Sequence, residues 1–132
     1  MAELRIGTCS WKFPSWQGLV YSAGAAKGTY LLQYARRYDT VEVDQWFWSL
    51  FGQGSGPPDV KLPEPADVSA YRAAVSKGFR FTVKAPNSLT LTHLYRKDKS
   101  EPLRINPHFL SPDLLQEFLS CLEPLRDLLG PI

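Results

Sequence analysis

Two acidic side chains stand two residues apart in the stretch TVEVD, at Glu42 and Asp44. Side chains alternate along a strand, so both carboxylates point to the face opposite Val41 and Val43. Buried carboxylates are costly unless they are paired or hydrogen-bonded, so partners or a site are expected around them. Such a pair can exchange protons with a substrate or bind a divalent metal. The sequence therefore marks Glu42 and Asp44 as candidate catalytic groups.

Two basic groups fall at the same level of the predicted fold. Lys84 ends the stretch FRFTVK, and His93 lies in the loop that follows it. Lys84 can form an ion pair, anchor a substrate or transfer a proton. His93 with the two carboxylates supplies ligand types for a divalent metal, but no close ligand spacing supports a metal site. An internal salt-bridge network and a surface histidine are the structural alternatives.

Aromatic residues follow the first two predicted strands. Trp11 and Trp16 come after the first, and Phe47 and Trp48 after the second, so two clusters are expected at one rim. Core packing would explain them, but an aromatic-lined pocket with a few polar groups is typical of small-ligand and base-stacking sites. Arg96 begins a basic loop that either is solvated or binds an anionic ligand. These five residues are candidate ligand-binding groups.

Alternating strand and helix patterns would position these groups. Apolar runs predict strands at residues 4–9, 40–44 and 79–84, and periodicity predicts helices at 28–38, 67–78 and 111–130. Asp67 and Ser111 are the candidate N-caps, and residues 131–132 would begin a fourth strand. Residues 52–65 and 85–110 are expected to be irregular. This order favours an α/β fold with a parallel sheet.

Composition describes an ordinary small globular chain. It has 132 residues, 44% apolar and 21% charged, with a formal charge of +2. That charge gives no case for a nucleic-acid or membrane partner. Cys9 and Cys121 are expected to be buried thiols in a reducing compartment. With no signal-peptide or membrane-span pattern, a cytoplasmic location is expected.

Taken together, these segments resemble the YecE-like family, also called domain of unknown function 72. Three segments match in order: GTCSWKFPSW, LLQYARRYDTVEVDQWFW and FRFTVKAPNSLTLTH. The matching positions are Gly7, Thr8, Trp11, Trp16, Tyr34, Ala35, Val41, Glu42, Val43, Phe47, Phe79, Phe81, Val83, Lys84, Ala85, Pro86, Thr92 and His93. FLSCLEPLRDLLGPI is similar to the family's helix leading into strand four. Cys9 and Ser10 replace the usual Ser and Gly, and Asp44 and Trp48 replace the usual Asn and Tyr.

The resemblance implies a TIM-barrel-like (β/α) fold, with the functional site at the carboxyl end of the strands. Residues 1–132 would then be a single domain covering about the first three β/α units and the start of strand four, an apparently truncated N-terminal part. The resemblance implies no particular reaction.

Three hypotheses follow for function. The first is an enzyme-like barrel whose rim binds a polar or phosphorylated small molecule. The second is a barrel that binds or processes nucleic acid. The third is an inactive fragment that self-associates through open sheet edges. No membrane partner is expected.

Overall fold

The computed structural model describes residues 2–51 and 58–132, so the first part of the predicted 52–65 connector lies outside the described residues. In chain order, the described elements are β1 (Gly7–Cys9), α1 (Tyr30–Tyr34), β2 (Thr40–Val43), β3 (Leu50–Phe51), β4 (Asp59–Val60), α2 (Pro65–Ala74), β5 (Arg80–Val83), α3 (Asn87–Thr90) and α4 (Pro112–Cys121). A 3-10 helix, Glu123–Leu128, follows α4. This is a mixed α/β fold.

The central sheet is parallel, with the strand order β1-β2-β5. Its register places Val41 beside both Thr8 and Phe81, and Glu42 beside both Cys9 and Thr82. The predicted α/β class and parallel pairing are therefore confirmed.

One face of the sheet carries the hydrophobic core. Val41, Val43, Phe81 and Val83 are at most 1% exposed and belong to one cluster with side chains from the helices. The helices contribute Tyr30, Leu31, Tyr34, Val68, Tyr71, Phe118, Leu125 and Leu128, and the turn between α4 and the 3-10 helix adds Leu122. The predicted orientation of the two valines is confirmed. The opposite face bears Glu42 and Thr82, both half-buried, and the exposed Cys9.

The segment after the 3-10 helix pairs with the outer edge of β5. Leu129 forms a parallel bridge with Phe81, and the Gly130 N–H donates to the Phe81 carbonyl at 2.8 Å. The Val83 N–H then donates to the Pro131 carbonyl at 3.0 Å. The extended pairing thus begins at Leu129, two residues before the predicted start of a fourth strand, and consists of one bridge and these hydrogen bonds rather than a full strand.

Two features hold β1 against β2. A Cβ added to Gly7 would lie 2.1 Å from the carbonyl oxygen of Thr40, so the two backbones are too close for a side chain. The buried Tyr34 hydroxyl accepts from the Thr8 N–H at 2.8 Å and donates to the Thr40 carbonyl at 3.0 Å. The first strand is therefore fixed both by backbone proximity and by a side chain of α1.

Several predicted strands and helices begin or end at the wrong residue. The first strand starts at Gly7 rather than residue 4, leaving Leu4 and Ile6 exposed. Helix α1 covers only Tyr30–Tyr34, because turns close the chain after it. Helix α2 starts at Pro65, so its N-cap position is Glu64 and the predicted Asp67 cap is wrong. Ser111 is confirmed as a cap, since its hydroxyl accepts from the Leu114 N–H at 3.3 Å.

Both segments predicted to be irregular contain regular structure. Asp59–Val60 pairs antiparallel with Leu50–Phe51. In the second segment, α3 is followed by an antiparallel bridge between His93 and Ile105. These elements are two to four residues long, too short to produce a periodic pattern.

Both cysteines were expected to be buried, and that expectation is wrong. Cys9 is exposed and Cys121 is half-buried. Cys9 lies on the sheet face that the helices leave uncovered, beside Glu42. In residues 2–51 and 58–132, none of the helices has the length and apolarity needed to cross a bilayer.

Candidate functional site

The carboxyl edge of the parallel sheet brings together a group of ionisable side chains. Asp44 follows β2 directly, and Lys84 follows β5, where its backbone N–H donates to the Val43 carbonyl at 3.1 Å. Cys9 ends β1 beside Glu42. Parallel strands end at the same edge, so three strands contribute one group each to this cluster, and β2 adds Glu42 two positions before Asp44.

Cys9 and Asp44 form the closest contact in this cluster. The Cys9 thiol donates a hydrogen bond to the Asp44 Oδ2 at 3.4 Å. The pKa of Cys9 is raised by desolvation, then by this hydrogen bond and by the negative charges of Asp44 and Glu42, and the Lys84 ammonium opposes the shift. The thiol is therefore held in its protonated form as a donor beside a carboxylate.

Asp44→Asn is expected to lower the pKa of Cys9, because it removes the carboxylate that favours the protonated thiol. More thiolate would exist at a given pH, so alkylation by iodoacetamide at pH 8 should become roughly three- to tenfold faster. Mass spectrometry of the Cys9 peptide over a pH series, in a Cys121→Ser background, measures this rate.

Asp113→Asn, on the exposed first turn of α4, is the matched control and should leave the rate profile of Cys9 unchanged. If the wild type and Asp44→Asn had identical rate profiles, Asp44 would have no effect on the pKa of Cys9.

Glu42 lies in the middle of this cluster without a partner of its own. Its side chain is half-buried, and within residues 2–51 and 58–132 its carboxylate has no hydrogen bond or ion pair. A half-buried carboxylate without a partner can accept hydrogen bonds or a proton from a bound molecule. Glu42 is therefore the most available acceptor of the cluster.

Lys84 connects the ionisable cluster to a set of aromatic rings. Its ammonium lies 4.4 Å from the ring centroid of Phe47, within cation–π range. Phe47 meets Trp48 edge-on, with centroids 5.0 Å apart, and Trp48 lies 6.2 Å from Tyr95. Phe47 and Trp48 were predicted to lie at the same rim as the acidic pair, and a 3-10 turn in which the Phe47 N–H donates to the Asp44 carbonyl at 3.0 Å places them directly after Asp44.

A buried polar network supports the two loops that carry these rings. The Asn87 side-chain oxygen accepts from the Ser49 N–H and hydroxyl, both at 2.9 Å, and from the Leu50 N–H at 3.1 Å. The Ser49 and Ser88 hydroxyl oxygens are also hydrogen-bonded to each other, at 2.7 Å. The Asn106 amide donates to the Ser88 and Leu91 carbonyls at 2.8 Å. The side chains of this network are at most 2% exposed, so it fixes the loop after β2 to the loop after β5.

The first-loop tryptophans are placed differently from those after β2. Trp11 is 2% exposed and packs edge-on against Tyr71, with centroids 4.8 Å apart. Trp16 is half-buried and stacks on Tyr34 at 6.4 Å. Both indoles pack with the hydrophobic core rather than with the carboxyl-edge cluster.

The two loop residues predicted for the site make local contacts. The His93 Nδ1 hydrogen-bonds the Thr92 hydroxyl at 3.0 Å. The Arg96 guanidinium donates to the carbonyls of Lys99 and Glu101, at 2.9 and 3.2 Å, and so closes its own loop. Among the described residues, neither forms a hydrogen bond, ion pair or ring contact with Glu42, Asp44 or Lys84, so the structure does not bring them into the acidic cluster.

In the part of the chain that the structure describes, no three His, Cys, Asp or Glu side chains are grouped so that they could hold a metal ion.

Three residues of this region were missed by the sequence-based prediction. Cys9 belongs to the cluster because its register places it beside Glu42, and alternation along β1 could have indicated this. Tyr95 reaches Trp48 from a distant loop, and Asn87 acts through buried hydrogen bonds. Neither of these long-range contacts leaves a local sequence signal.

A parallel sheet with helices on one face and an ionisable cluster at its carboxyl edge defines an α/β protein with a candidate binding site. The chain belongs to the family described as protein of unknown function DUF72, whose model matches residues 5–132. This match confirms the resemblance to the YecE-like family. Comparisons with curated proteins and with solved structures gave no match.

Proposed function

We propose that the carboxyl edge of the sheet binds a polar small molecule, with Glu42 and Asp44 as acceptors or acid–base groups and Lys84 as the opposing cation. The observation that carries this proposal is the unpartnered, half-buried Glu42 carboxylate beside the Cys9–Asp44 pair. A half-buried carboxylate has lost part of its hydration, and this one has no protein hydrogen bond in place of the lost water. This favours binding of a ligand that donates hydrogen bonds.

The fold supports the same location. Strands β1, β2 and β5 and the pairing at Leu129 follow one another in sequence order across the sheet. This is the order of the first strands of a TIM-like (β/α) barrel, the fold that we propose for the family to which the chain belongs. In such barrels the functional groups lie at the carboxyl ends of the strands.

Glu42→Gln tests the proposal, because it keeps the shape of the side chain and removes its charge. The probe is a mixture of sugars, sugar phosphates, nucleotides and carboxylic acids, detected by saturation-transfer NMR on the full chain. Compounds that bind the wild type should bind the variant at least tenfold more weakly, which corresponds to about 1.4 kcal/mol. The thermal midpoint should change little, since the Glu42 carboxylate has no intramolecular partner among the described residues.

Glu117→Gln, on the exposed side of α4, is the matched control and should bind as the wild type does. A folded Glu42→Gln variant that retains full binding would remove Glu42 from the site.

A further inference from the structure

Two aromatic rings at the carboxyl edge are largely exposed to solvent. Trp48 is 59% exposed and Tyr95 is 50% exposed, whereas Trp46 is 8% exposed. They come from different loops, yet their centroids lie 6.2 Å apart with the ring planes inclined by 35°. Large rings that converge from separate loops and remain open to solvent are the usual walls of a ligand site.

These rings are held in place before any ligand arrives. Ser49, the residue after Trp48, is fixed by its two hydrogen bonds to Asn87. The segment that leads to Tyr95 is paired through the Leu94 N–H to the Arg104 carbonyl at 2.9 Å and the Asn106 N–H to the Thr92 carbonyl at 3.0 Å. Asn106 in turn bonds the Ser88 carbonyl, so one buried network supports both loops. Such preorganisation lowers the entropic cost of binding.

Asp44 of the acidic pair is close in sequence to Trp48, one of these two exposed rings. A 3-10 turn, Gln45–Phe47, connects Asp44 to Trp48, and the Phe47 N–H closes it on the Asp44 carbonyl at 3.0 Å. Such a turn rises about 2 Å per residue, so the four steps from Asp44 to Trp48 span about 8 Å. One ring-shaped ligand with polar substituents can therefore contact both.

Charge distinguishes among the ring-shaped ligands. Glu42 and Asp44 contribute two negative charges and Lys84 one positive charge, so a phosphate or carboxylate at this position would be repelled. Hydroxyl groups, in contrast, donate charge-assisted hydrogen bonds to carboxylates. A sugar combines such hydroxyls with a C–H face that packs on an aromatic ring.

We propose that Trp48 and Tyr95 form a stacking platform for the face of an uncharged sugar ring, whose hydroxyl groups donate to Asp44 and Glu42. This inference rests on the proposed function, since it names the ligand class of the same site. Lys84, whose ammonium lies over the Phe47 ring, donates to a ring or hydroxyl oxygen of the sugar.

A printed array of neutral, sialylated and sulfated glycans tests the platform, with a fluorescent dT oligomer and AMP as competing classes. The wild-type chain should bind neutral glycans, and Trp48→Ala and Tyr95→Leu should each weaken this binding at least tenfold. Tyr95→Phe keeps the ring and should stay within threefold of the wild type. Leu32→Ala, at a 45% exposed position on α1, is the control and should leave binding unchanged.

The salt dependence separates the ligand classes further. Binding of a neutral glycan should persist at 0.5 M salt, whereas binding of the dT oligomer through phosphates would fall steeply. A preference for sulfated or sialylated glycans, for dT or for AMP would overturn the platform, and so would undiminished glycan binding by a folded Trp48→Ala variant.

Failure of the platform can be told apart from failure of the site itself. If neutral glycans do not bind but other polar compounds bind in a Glu42-dependent manner, the sugar platform is wrong and the proposed function stands. If Glu42→Gln leaves the binding of every compound unchanged, both are wrong.

Discussion

Gly7→Ala is expected to lower the free energy of unfolding by roughly 3 kcal/mol or more, at the upper end of the usual cost of overpacking. The added methyl group would lie 2.1 Å from the Thr40 carbonyl oxygen, which is a backbone atom and cannot rotate away. Strand β1 would have to move off β2, and Cys9 would leave its place beside Glu42. Chemical denaturation of the two proteins measures the difference.

Gly78→Ala is the matched control, because a Cβ at Gly78 meets nothing within 4 Å and its φ lies outside the left-handed region. Its free energy of unfolding should stay within about 1 kcal/mol of the wild type, with a small gain from the less flexible unfolded chain. Equal effects of the two substitutions would show that β1 does not need the close approach at Gly7.

Asn87→Ala is expected to cost about 3 kcal/mol of stability, because it removes one acceptor from three buried donors. The Ser49 N–H, the Leu50 N–H and the Ser49 hydroxyl all donate to the Asn87 side-chain oxygen. Each unsatisfied buried donor costs about 1–3 kcal/mol, and the Ser49 hydroxyl retains Ser88 as a partner. Denaturant unfolding monitored by tryptophan fluorescence gives the size of the loss.

Two further variants separate the role of the acceptor from a general effect of truncation. Ser49→Ala keeps both backbone donors on Asn87 but removes the acceptor of one buried donor, the Ser88 N–H, so it should cost about 1–2 kcal/mol, less than Asn87→Ala. Gln116→Ala removes an exposed amide from α4 and should change stability by less than about 0.5 kcal/mol. If Asn87→Ala cost no more than Ser49→Ala, the backbone bonds to Asn87 would not be significant for stability.

Much of the sheet could be predicted from the sequence, because its signals are local and periodic. Alternating apolar residues place Val41, Val43, Phe81 and Val83 on the helix side, and this is how they are buried. The same alternation put Glu42 on the opposite face. The order of strands and helices then implied parallel pairing, which the register confirms.

The parts that were missed depend on long-range contacts or on very short elements. The β3–β4 pair has two residues in each strand, and α3 has four residues. The network around Asn87 joins residues far apart in sequence, such as Ser49 and Asn87, which are 38 positions apart. No periodic sequence pattern predicts such a contact. Strand alternation therefore predicted the sheet face on which Glu42 lies, whereas the positions of Trp11, His93 and Arg96 required the packed structure.

The hydroxyl of Tyr34 opposes a change in the register of β1 against β2. A shift of β1 by one residue would turn the Cys9 thiol to the helix side and bring Thr8 to the open face. Such a shift would also break the hydrogen bond from the Thr8 N–H to the Tyr34 hydroxyl. In the observed register this hydroxyl bridges the Thr8 N–H and the Thr40 carbonyl. A shifted pairing of this short strand would thus lose a buried polar contact. The Tyr34 hydroxyl of α1 therefore favours the register in which Cys9, and not Thr8, lies on the face open to a ligand.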